Sequence, residues 1–295
     1  MQAFYLKEFQ EFNAIFEFKT SREPTAVEHL MDTPEERRQE PLRFKHEFRW
    51  RHFGLAHHAL EDFHRSQWQK EATSRWFLIY RWAMALFFII GLVSYMSHYF
   101  LEGHWFLYLT HWGFFLCSIT SLSAAIFVTI YHFNPDKMVT RHCLIRCYWV
   151  CYWTNLIISH VISITYWIFV FPTQKMETDL PKWLVMGFNV LVHGVPVVLF
   201  TVDHMLVAHP TRLLHFVYPM GFGWLYGAFA YVYYLCGGVD ITGKVYLYAI
   251  LDFRQPGEAV LMIVYLSILL IFCHVLQYGV YRLRVYIAHK LGKLQ

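Results

Sequence analysis

Thr110 and His193 give this sequence the makings of ester chemistry: one offers an alcohol, the other a ring nitrogen able to take its proton during attack on a carbonyl. Asn189 stands one helical turn before His193, where it could orient the ring or donate to an oxyanion, and His111 adjoins Thr110 as a second supporting imidazole. Asp203 lies ten residues beyond His193, too far along a helix to complete a triad with that ring. Ordinary roles compete with catalysis. A Thr in a membrane helix bonds back to the carbonyl one turn earlier, here that of Phe106, and an intramembrane His joins helices together. Residue chemistry leaves both readings open.

The elements that must position these groups are long apolar runs: Trp76–Met96, Trp105–Tyr131, Cys147–Phe171, Trp183–Val207, Phe216–Leu235 and Ala259–Tyr281. Each is long enough to cross a bilayer, and lipid offers no partner to a bare amide, so each is expected to be helical. The composition of the 295 residues agrees, with 57% hydrophobic and 20% aromatic side chains and a mean hydropathy of +0.32. The expected fold is all-α, a polytopic bundle of six transmembrane helices. On the fourth run Asn189, His193, Phe200 and His204 form one stripe with Pro196 at its edge as a kink, and Thr110, Cys117 and Ser121 form a polar face on the second. At 1.5 Å per residue Thr110 lies roughly 8 Å and His193 roughly 15 Å below one surface, a gap that helix tilt and side-chain reach can close.

Basic residues report the orientation. Arg65, Lys70, Arg75, Arg81, Lys137, Arg141, Arg146, Arg212, Arg282, Arg284, Lys290 and Lys293 fall on one side, and Lys175, Lys182, Lys244 and Arg254 on the other. Twelve against four places both termini in the cytosol, which an even number of crossings also requires. No cleavable signal peptide is expected at Met1 to Phe12, which Lys7 and Glu8 interrupt. The chain then divides into an N-terminal cytosolic extension (1–47), partly disordered around Thr33 to Pro41, and a cytosolic interfacial collar (48–75) where Phe48, Trp50, Phe53, Phe63 and Trp68 alternate with Arg, His and Lys. The transmembrane domain (76–281) and a basic tail (282–295) complete it.

Other signals are weaker. Cys143, Cys147 and Cys151 recur every fourth residue at the cytosolic mouth of the third run, where thiols stay reduced; helix packing is the first expectation and palmitoylation the second. Cys117, Cys236 and Cys273 read as packing residues. Gly223 and Gly227 allow close helix approach, within the chain or in a homodimer. Haem ligation by His111, His160, His193 or His274 needs paired depths on facing helices, and zinc at the cysteine stripe lacks a fourth ligand beyond His142, so neither metal nor cofactor is expected. The net charge of +4 is modest and sits at run ends, which gives nucleic-acid binding no support and leaves the lipid bilayer as the expected partner.

The stretch FGLAHHALEDFHRSQWQ (Phe53 to Gln69), the six runs and YLTHWGFF (Tyr108 to Phe115) closely resemble the rolling stone family of invertebrate membrane proteins, from about Phe48 to Tyr281. That resemblance implies a multi-pass plasma-membrane protein acting in myoblast fusion and muscle development. More distantly, YLTHW and FNVLVHGVPVVLFTVDH are similar to the androgen-induced and androgen-dependent hydrolases of fatty acid esters of hydroxy fatty acids. This likeness implies a Thr nucleophile at Thr110, a His at His193 and a lipid-ester substrate, with His111 where those enzymes carry an aromatic. Two functions follow: a fusion protein with an intramembrane Thr/His hydrolase site, or a non-enzymatic fusion component working through packing and partner contacts.

Overall fold

The computed structural model describes residues 47–293, apart from 58 and 174–179. The N-terminal extension, including Thr33 to Pro41, therefore lies outside the described residues. Helix is the only regular secondary structure among the described residues, with a single isolated bridge between Ser66 and Val207. The principal helices are α1 (Arg75–Tyr99), α2 (Leu109–Phe133), α3 (His142–Thr165), α4 (Lys182–His193), α5 (Val195–Leu206), α6 (Val217–Leu235) and α7 (Pro256–Lys290).

Five helical stretches are long and apolar enough to cross a membrane: 75–99, 109–133, 142–173, 182–206 and 256–290. The 19-residue α6 forms where the fifth run was expected, but its tyrosines and glycines make it less apolar than these five. Two boundaries moved for clear reasons. Trp105 to Leu107 belong to a 3-10 turn (Leu101–Leu107) that precedes α2, because His111 Nδ1 donates to the Trp105 carbonyl and folds that turn over the helix start. The fourth run breaks at Gly194, two residues before Pro196, whose ring removes one backbone donor and crowds the carbonyl one turn back, so α4 and α5 meet at a kink inside one crossing.

Helix α3 is the axis of the bundle and packs against α2, α5, α6 and α7. From Tyr152 to Ser159 every side chain is buried, whereas α1 and α7 present Ile90, Val93, Leu261 and Ile268 outward as a lipid-facing helix would. Close approaches use Gly91 and Gly113. A Cβ at Gly91 would lie 3.3 Å from Phe114 Cζ, and one at Gly113 2.6 Å from Ile162 Cδ1. Gly223 and Gly227, the expected small-residue pair, have no heavy atom within 4 Å of an added Cβ, so intramolecular packing is not their use.

At one end of the bundle, called the inner end here, the collar forms two 3-10 turns, Trp50–Phe53 and Leu60–His64. It is strapped down through backbone carbonyls. Arg212 donates to the Gly54 carbonyl at 2.7 Å and to that of Ala56, Tyr218 to Phe53 at 2.6 Å, and Trp68 Nε1 to Met205 at 2.7 Å. Leu60 and Phe63 enter the main core, the Phe63 ring 5.1 Å from that of Trp149. Trp50 and Phe48 stay exposed, at 86% and 59%.

Candidate functional site

The expected catalytic pair lies toward the outer end, but the two residues are seated in different clusters. Thr110 is the second residue of α2 and lies against Tyr248, whose hydroxyl is within reach of the Thr110 side chain and backbone and of Tyr226. Tyr226 in turn donates to the Leu107 carbonyl at 2.9 Å, so this side of α2 packs on α6 and the loop that follows it. His193 stacks face to face on Tyr166, with ring centroids 3.4 Å apart and planes 7° from parallel. Its Nδ1 donates to the Asn189 carbonyl at 3.0 Å, which fixes Nε2 as the basic nitrogen. The contact uses the Asn189 backbone and not its amide, whose Nδ2 is buried without a partner among the described residues.

Among the described residues no hydrogen bond joins Thr110 to His193. Successive residues on a helix diverge by about 100°, and the α2 side chain that turns toward α1 and α4 is His111. His111 Nε2 accepts from the Tyr95 hydroxyl at 2.8 Å, its ring stacks on buried Trp105 at 4.8 Å, and Tyr95 packs on Phe188 of α4 at 5.6 Å. His111 therefore ties the 101–107 turn to two helices.

The remaining intramembrane histidines are similarly engaged. His160 donates from Nδ1 to the Leu156 carbonyl at 2.7 Å and accepts at Nε2 from Gln277 at 2.9 Å. His274 accepts at Nδ1 from Trp153 at 3.1 Å and donates from Nε2 to Leu213 at 2.7 Å. In each of His111, His160 and His274 both ring nitrogens are hydrogen-bonded within the bundle. Among the described residues no group of three or more His, Cys, Asp or Glu side chains is placed to hold a metal ion.

The inner end holds a site that the spacing of Thr and His did not reveal. Arg81 of α1 donates to Asp203 Oδ1 of α5 at 2.9 Å, and the Tyr80 hydroxyl donates to the same oxygen at 2.8 Å. Both charged side chains are sealed, Arg81 at 2% exposure and Asp203 at 0%. A second buried guanidinium, Arg284 of α7, has no carboxylate within ion-pair distance among the described residues and donates at 2.6 Å to each of the His204 and His209 carbonyls. Two guanidiniums thus face one carboxylate in the protein interior.

Among the described residues several polar atoms around them lack a hydrogen-bond partner: Arg81 Nε and Nη2, Arg284 Nε and the hydroxyl of Tyr148, while the Tyr152 hydroxyl is within reach of Asp203. Just outside the spans, burial and then the Arg81 charge lower the pKa of His64 from 6.5 to about 3, and burial followed by Arg81 and Arg284 holds His209 well below 6.5. Both imidazoles are neutral at pH 7. Each unmet buried group costs about 1–3 kcal/mol, so the cluster is more than helix glue and ranks as a functional-site candidate. The sequence did carry a signal. An Asp five residues from the end of an apolar run needs a cation at its own depth, and Arg81, six residues into the first run, is level with it.

Fold and polar sites together define an all-helical integral membrane protein of the multi-pass class. A family model described as "Protein rolling stone" matches residues 41–292, and the chain is 33% identical over 253 residues to Protein rolling stone of Drosophila melanogaster, covering 82% of this chain and 90% of the relative. The chain belongs to the rolling stone family. No solved structure matches it.

Proposed function

We propose that this protein is a plasma-membrane component of cell fusion, in the setting of muscle precursors, and that it acts from its inner end through the collar rather than by turning over a lipid. In this reading α6 is a sixth crossing, both termini are cytosolic, and the inner end with its collar faces the cytosol. The strapped collar is the observation that carries it. A cytosolic element of residues 47–72 is fixed to 205–218 by hydrogen bonds from Trp68, Arg212 and Tyr218, and offers exposed Phe48 and Trp50 to a partner. In a fusion assay, deletion of 48–70 is expected to abolish activity while Thr110→Ala retains it. The opposite outcome would refute the proposal.

A second reading, lipid-ester hydrolysis with Thr110 as nucleophile and His193 as base, is supported by the His193 tautomer, which leaves Nε2 free to take a proton. It requires Thr110 to leave Tyr248. A fluorophosphonate probe tests it: labelling lost in both Thr110→Ala and His193→Ala favours hydrolysis, and absent labelling rejects it. A homodimer through Gly223 and Gly227 is a separate proposal, read by cross-linking of the wild type against Gly223→Leu.

A further inference from the structure

Cys143 and Cys147 occupy the first two turns of α3, and both side chains are exposed, as is Leu144 beside them. Their neighbours on the opposite face, Ile145, Tyr148 and Trp149, are buried. The two thiols lie within hydrogen-bond reach of each other, and Cys151, one turn deeper, is half-buried. Helix packing therefore does not account for the two outer thiols, whereas it does for buried Cys117, which donates to Asn155 at 3.0 Å, and for buried Cys273. Cys236, also expected to pack, is exposed at the far end of α6.

The depth of the pair is fixed by its neighbours. Trp149 Nε1 donates to the Pro210 carbonyl at 3.1 Å, and the Tyr148 ring meets His209 at 5.4 Å, so Cys147 is level with the inner-end loop and Cys143 lies one turn toward the aqueous side. Lys137, Arg141 and Arg146 flank them, a basic setting for an anionic leaflet and for a polyphosphate-bearing acyl donor.

We infer that Cys143 and Cys147 are S-acylated by long-chain acyl groups at the cytosolic boundary of the membrane. The inference rests on the proposed orientation of the inner end. The cysteine sulfur attacks the thioester carbonyl of a long-chain acyl-CoA, the bond to coenzyme A breaks, and the departing thiolate takes the proton that the cysteine lost. The acyl chains then lie along the uncovered face of α3, adding to membrane hold beside the collar.

The full-length protein is expressed in animal cells in a Cys236→Ser background, and acyl groups are exchanged for a mass tag by hydroxylamine after free thiols are blocked. The expected result is a hydroxylamine-dependent shift in one and two steps, reduced to one step in Cys143→Ser or Cys147→Ser and lost in the double variant. No shift in the parent, or a shift that survives the double variant, overturns the inference. An impermeant maleimide applied to the parent after thioester cleavage separates the two layers of the argument. Labelling only after permeabilisation keeps the orientation, so that an absent shift then rejects acylation alone. Labelling of intact cells rejects the orientation and acylation with it.

Discussion

The outer and inner ends of this bundle use similar polar side chains in opposite ways. At the outer end every nitrogen of His111 is matched, His193 is stacked and bonded to its own helix, and the polar groups close a turn onto α1, α2 and α4. At the inner end Arg81, Asp203 and Arg284 are as deeply buried, and although both ends leave neutral donors unmet, such as Asn189 Nδ2 and Trp105 Nε1 at the outer end, only the inner end holds unmet guanidinium donors and, among the described residues, a guanidinium without a carboxylate. The contrast teaches that a histidine in a membrane helix is weak evidence for chemistry when a carbonyl one turn away can satisfy it. A buried charge is stronger evidence, because local backbone cannot neutralise it.

Breaking the ion pair should give the largest effect. Arg81→Met leaves Asp203 buried without its cation and is expected to destabilise the detergent-solubilised protein by about 3–5 kcal/mol, whereas Arg81→Met combined with Asp203→Leu recovers much of the loss. Thermal melts of the singles and the double check this. A double variant no better than the singles would mean that the pair's geometry, and not its charge balance, holds the inner end.

Acid sharpens the same contrast. His64, His209 and His215 lie at the inner end with pKa values depressed by burial, to about 3 for His64 and His215. Below 6.5 the unfolded chain binds protons that the folded chain refuses, so stability is full above about pH 6.5 and falls as pH drops toward 3. The loss is about 1.4 kcal/mol per imidazole at pH 5.5. Melts at pH 7.5 and 5.5 should show the drop, and His64→Gln should make it shallower. At the outer end His111→Phe strands the Trp105 carbonyl and is expected to cost about 1–3 kcal/mol, with little change in the acid response. The smallest effect belongs to Gly227→Leu. Its added side chain meets open space, so the melt should move by no more than about 0.5 kcal/mol.

The helices were legible because lipid imposes length and apolarity on a crossing, and α1, α5 and α6 end within a few residues of the runs that announced them. The start of α2 was not, since Trp105 looks like membrane-helix material until His111 captures its carbonyl, a contact six residues apart that no periodicity encodes. The collar showed its aromatics but not its strapping, which runs through backbone carbonyls that carry no residue signature. In the sequence Arg81 and Arg284 stand near run ends, where a basic residue marks topology. Only the three-dimensional meeting of α1, α5 and α7 turns them inward.

The distinction between the ends bears directly on function, and one comparison tests it. Arg212 holds the collar by two carbonyls and lies 5.1 Å over the Trp149 ring, outside the spans, so Arg212→Ala loosens the collar and leaves the buried core of the bundle in place. Thr110→Ala removes only the outer hydroxyl. With surface levels matched, cell-fusion rescue should fail for Arg212→Ala and persist for Thr110→Ala. Rescue by Arg212→Ala together with failure of Thr110→Ala would contradict the account and return the function to the outer end.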